Sequence, residues 1–190
     1  MFDVKKLLID VFDPQSDEVA AVVVDVPHDD VSDNPSWQAR REMAERWRNA
    51  LAELAVEREF EVRPLVSYRA TGANNADLPE TVVVDGVERA LAEEFGETTL
   101  VIALTEFSAT APLAHLAAAD EDFRAASMPG VEERMEQTSL AADYTHVAAR
   151  CRSIAEALEG AVLCEVLFST GHRCWFDLRH RRAEMDDVAL

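Results

Sequence analysis

Five side chains that could ligate a cation crowd into nine residues. Asp25, His28, Asp29, Asp30 and Asp33 lie in the stretch DVPHDDVSD. Carboxylates and an imidazole bind a divalent ion when they converge on one point. With 37 acids in 190 residues, however, acids adjoin one another by composition alone. The reading that follows is a solvated acidic loop without a metal.

Two further polar clusters stand in turn-rich segments. RATGANNADLP (69–79) offers Thr71, Asn74, Asn75 and Asp77, and TEFSAT offers Glu106, Ser108 and Thr110. Asn accepts left-handed backbone and caps turns through its amide, and Ser and Thr cap helix starts. Turn and cap roles are the first reading of these clusters, and a substrate- or interface-facing role for Thr71, Asn74, Asn75, Asp77, Glu106 and Ser108 is the other. None of them is expected to be catalytic. SMPG (127–130) reads as a tight turn.

Other chemistries lack their motifs. No GxSxG elbow is present for a Ser nucleophile. Neither HExxH nor another His pair at ligand spacing occurs. Phosphate-cradling GxxxxGK[ST] and GxGxxG loops are missing too. Cys174 lies near His172, but alternation points Cys174, Phe176 and Leu178 toward a core. Trp175 falls on the opposite face with Arg173, Asp177 and Arg179. His115 and His146 lie in Ala-rich helical patterns and read as packing or surface residues. Trp37 and Trp47 read as core or interface aromatics.

The elements that would position these residues follow from periodicity. VAAVVVDV (19–26) and 99–104 are continuous apolar runs, the mark of strands buried on both faces. Asn34 and Pro35 open a helix in which Met43, Trp47, Leu51 and Leu54 recur at helical spacing. Residues 61–68 read as a strand that Pro64 pushes to an edge or a bulge. A short strand at 81–85 closes in an Asp85-Gly86 turn. Helices are expected over 88–95, 111–119, 142–159 and from Gly130, where Glu132 and Glu133 suit the first turn. Strands are expected over 123–127, 161–169 and 173–179, the last two forming a hairpin. Such alternation predicts an α/β fold: a mostly parallel, Rossmann-like sheet with helices on both faces. The hairpin would follow as a terminal piece, dividing the chain into 1–160 and 161–190. In such a sheet, ligands bind beyond the carboxyl ends of the strands.

Charge narrows the partners. Eighteen bases against 37 acids give a formal net charge of -19. No basic face remains for nucleic acid or an anionic membrane surface. Lys5 and Lys6 are the only lysines. An acidic, Lys-poor surface suits a high-salt cytoplasm, and a GC-rich genome produces the same bias. The opening MFDVKKLLIDVFD carries acids within its apolar stretch and reads as no signal peptide. Three cysteines without a CxxC pair fit reduced thiols in a cytoplasm.

Six segments together resemble a known family. In order they are WQARREMAERW, ATGANNADLPE, LTEFSATAPL, ASMPGVEERM, AADYTHVAARC and FSTGHRCWFDLRHR. They are similar to the amino-terminal region of M29-type metallo-aminopeptidases (leucyl-aminopeptidase-like proteins, also called thermophilic metalloproteases). The resemblance implies cleavage of an N-terminal peptide bond by two divalent ions, such as Zn, Co or Mn. Their Glu, His and Asp ligands belong to the carboxy-terminal half of the family pattern, so no position here inherits a ligand role. The implied role is a non-metal-binding domain, inactive alone. Its implied partners are a carboxy-terminal catalytic domain or a second copy of itself, and peptides. 2,5-Dihydroxypyridine dioxygenase shares that architecture and uses a single iron. A domain of such an enzyme, or a free-standing binding module, is the alternative.

Overall fold

The computed structural model describes residues 2–185. The described residues divide into two compact units, 2–141 and 142–185. The helix of 142–159 thus groups with the hairpin and not with the sheet.

The first unit opens with α1 (Val4–Phe12), for which the sequence pattern predicts no element. Asp3 caps it by accepting from the Lys6 N–H, and Leu7, Leu8 and Phe12 are buried. β1 (Val19–Val26) follows. α2 (Pro35–Arg58) begins as predicted, with the Asn34 side chain accepting from the Trp37 N–H and Pro35 in the first turn. The expected strand over 61–68 is broken into β2 (Glu61–Val62) and β3 (Val66–Arg69). Both pieces run parallel to β1. Pro64 has no N–H to give the ladder, so it interrupts a strand in the sheet interior instead of marking an edge.

β4 (Thr81–Val84) lies antiparallel to β3. Asp85 and Gly86 both have positive φ, 51° and 75°, as a type I′ hairpin turn needs. That turn sends 87–90 back along β4 as β5 (Val87–Ala90). The helix expected over 88–95 is therefore corrected: its first residues are strand, and only α3 (Leu91–Gly96) is helical. β6 (Leu100–Ala103), α4 (Thr110–Ala119) and β7 (Arg124–Ser127) appear close to expectation. The helix expected after Gly130 is replaced by two 3₁₀ turns, Glu133–Gln137 and Ser139–Ala141. Gly130 is in the left-handed region, and Glu132 makes no side-chain cap. Side-chain bonds from α2 hold this segment: Arg40 Nε donates to the Val131 carbonyl (2.7 Å) and Trp47 Nε1 to Glu136 (3.0 Å).

The seven strands form one mixed, mostly parallel sheet in the order β5-β4-β3-β1-β6-β7, with β2 beside β1. Ala21 and Val23 of β1 pack in one cluster with Phe95 of α3 and Leu113 of α4. Ala20, Val22 and Val24 alternate to the other side and are buried, and α2 packs on β1. Helices thus cover both faces, which accounts for the unbroken apolar run of β1.

The second unit contains α5 (Tyr144–Leu158), capped by Asp143. The antiparallel hairpin of β8 (Leu163–Leu167) and β9 (Arg173–Asp177) follows. No residue from 142 to 185 is buried. Trp175 is 58% exposed, in line with its predicted face. Phe176, expected in a core, is 51% exposed, because this unit has no core to receive it. Among the described residues, no helix is long and apolar enough to cross a membrane.

Candidate site at the sheet switch point

From β1 the chain first adds strands on one side (β2, β3) and later on the other (β6, β7). The crevice where that order reverses lies at the carboxyl ends of β1 and β6. Asp25 sits there, fully buried. Its Oδ1 accepts from Trp37 Nε1 (2.8 Å) and the Glu106 N–H (2.8 Å), and its Oδ2 from the Phe107 N–H (3.0 Å). Burial pushes this carboxyl above the usual range, and the N–H groups of Phe107, Glu106 and Trp37 oppose the rise. Burial also pushes the Tyr68 phenol up, aided by the charge of Asp25.

Glu106 turns its side chain toward α2. Arg40, 3% exposed, pairs with one carboxylate oxygen, and Asn34 Nδ2 donates to the other (3.1 Å). Arg40 also reaches Val131, so one guanidinium ties the loop after β6 to the segment after β7.

A second network joins the loop of 70–79 to the start of α4. Asn74 Oδ1 accepts from the Ser108 N–H (2.8 Å). Asn75 Oδ1 accepts from Ser108 Oγ (3.0 Å) and the Ala111 N–H (3.1 Å). The Asn75 N–H donates to the Ser108 carbonyl (2.8 Å). Ala109, at the N-cap of α4, has no capping side chain. Asn75 supplies the cap from far away in sequence, with its own backbone left-handed at φ 59°.

Four of the six predicted site residues therefore converge: Asn74, Asn75, Glu106 and Ser108. Thr71 donates to Ala73 within its own loop (2.8 Å). Asp77 is exposed and outside both networks. Arg40 and Trp37 were not singled out by sequence as site residues. Both fall at the spacing of the α2 stripe, where a buried Arg signals a fixed acceptor. Asp25 had a plainer signal, an acid inside a β-branched run.

The acidic loop does not gather donors. His28 is pinned between strand ends, its Nε2 donating to the Ala70 carbonyl (3.0 Å). Its Nδ1 accepts weakly from the Asp30 N–H (3.4 Å). Asp29 and Asp30 point into solvent. The guanidinium of Arg41 holds Asp33 below the usual carboxylate range and stacks 5.3 Å from the Trp37 ring centre. Among the described residues, no three His, Cys, Asp or Glu side chains are grouped to hold a metal. With both His28 nitrogens and the Asp25 and Glu106 carboxylates engaged, this rim does not fit the divalent centre of the resembled family.

No family model, curated protein or solved structure matches this chain.

Proposed function

We propose that this chain is the amino-terminal, non-catalytic domain of an M29-type aminopeptidase-like protein. On this reading its sheet is Rossmann-like, its setting is cytoplasmic, and its rim forms one wall of a peptide cleft. One observation carries the reading. Segments that are scattered in sequence and carry the family resemblance are bonded to one another at the rim. Arg40, from the first segment, holds Glu106 of the third and Val131 of the fourth. Asn74 and Asn75, from the second, hold Ser108 of the third. These segments follow strands of the sheet and meet at its carboxyl end, where ligands bind in such folds. The engaged carboxylates leave this rim to shape and position a substrate, with water activation falling to metal ligands elsewhere.

Two measurements test this. The purified chain with added Zn, Co or Mn is expected to release no p-nitroaniline from leucyl-p-nitroanilide. Metal-dependent turnover that follows the chain through successive purification steps would show it to be catalytic itself. The reading frame beyond Leu190, or a neighbouring gene, is expected to encode a domain rich in Glu, His and Asp ligands. Finding no such domain would sink the family assignment.

A further inference from the structure

Among the described residues, nine of the twelve exposed large apolar side chains fall between Ile154 and Met185. The same stretch stands apart in charge. Residues 142–190 carry eight acids and six bases, net -2. Residues 1–141 carry 29 acids and 12 bases, net -17. Most of the negative charge thus lies outside the stretch where the surface turns apolar, which is where two such acidic chains can approach each other.

The hairpin offers an open edge there. The Phe168 N–H donates to the His172 carbonyl (2.9 Å) and the Leu178 N–H to the Val162 carbonyl (3.1 Å). Antiparallel ladders alternate, so Cys174, Phe176 and Leu178 turn their backbone groups toward β8. Arg173, Trp175 and Asp177 turn theirs to the other side of β9, where no described strand pairs with them. A bare row of N–H and C=O groups is a template for another strand.

We propose that β9 pairs antiparallel with β9 of a second copy of this chain, about a two-fold axis at Trp175. In that register the residues whose backbone groups are free are the residues that bond. Trp175 meets Trp175 of the second copy. Arg173 meets Asp177 of the second copy, and symmetry repeats that ion pair. The two hairpins become one four-stranded sheet, with Leu163, Leu167 and Trp175 of both copies on one face. The outer edge of β8 is not self-complementary in this way, because a two-fold axis at Glu165 sets that carboxylate against its own copy. The pairing uses the strand edge and leaves the sheet faces open, so it holds whether or not a catalytic domain covers them.

Sedimentation equilibrium on the full chain at about 0.15 M salt, where charges act over about 8 Å, tests the pairing. The unaltered chain is expected to dimerise. R173D and D177R each set like charges opposite one another twice, and each is expected to weaken dimerisation about tenfold or more. The double swap R173D/D177R restores both intermolecular pairs and is expected to restore dimerisation. W175P removes an outward N–H without touching the bonds to β8, and is expected to be monomeric with unchanged circular dichroism. A monomer at every concentration overturns the proposal. So does a dimer indifferent to the single swaps, or one that the double swap fails to rescue.

Discussion

Asp25 is buried where an anion is costly, yet three N–H groups point at it. Those bonds fix the Glu106 and Phe107 backbone against α2, which makes Asp25 a positioning residue. Asp25→Asn keeps the shape but turns an NH₂ group toward an N–H of the loop. A buried donor facing a donor costs about 1–3 kcal/mol, so chemical denaturation at neutral pH is expected to show a loss of that order. The pH dependence separates charge from geometry. Because its folded pKa is raised, Asp25 holds its proton longer folded than unfolded, and its contribution falls as pH rises above the unfolded value of 3.8. Asp13 and Asp33, lowered by Arg58 and Arg41, act oppositely below that value. Asp25→Asn should therefore flatten the decline just above pH 4 and leave the acid limb in place. An unchanged decline would show that Asp25 does not titrate there. The sequence made Asn74, Asn75, Glu106 and Ser108 legible as polar residues in turn-rich loops beyond strand ends, without showing their partners, which are distant in the chain. It left Arg40 hidden because the acceptors of a buried guanidinium, Glu106 and Val131, lie far along the chain.

At the scale of elements, apolar runs announced the buried strands, and Asn34-Pro35 announced α2. What failed was decided by backbone geometry. Glu88 to Phe95 carries a helical pattern, but the Asp85-Gly86 turn commits 87–90 to a strand before a helix can propagate. The start of α4 was legible, but its cap was not, since it comes from Asn75 on another loop. Asn75→Asp keeps an acceptor, tolerates the left-handed backbone and adds charge at a positive helix end. It is expected to unfold near the parent midpoint. Asn75→Ala loses both the cap and the polar side chain that makes Asn tolerant of φ 59°, and is expected to cost about 1–2 kcal/mol. Equal stability for the two variants in thermal melts would remove the capping role.

At the scale of the whole molecule, a net charge of -19 is a standing repulsion. Added salt screens it, with the Debye length falling from about 30 Å at 0.01 M to about 3 Å at 1 M. The thermal midpoint is expected to rise from dilute buffer to molar KCl. A flat or falling midpoint would leave composition drift as the source of the acidity. β1 carries a different liability, set by the order in which the chain is made. This long buried strand leaves the ribosome early, while its neighbours β3 and β6 are separated from it by α2 and by the β4–β5 hairpin. Until Ala103 emerges, VAAVVVDV has one side with no partner in its own chain, in a form that sticks to other nascent strands. Asp25, the only charge within that run, gains its backbone hydrogen-bond partners only once 106 and 107 have been synthesised. During translation it is a gatekeeper against aggregation, and on completion of the sheet it becomes the clasp.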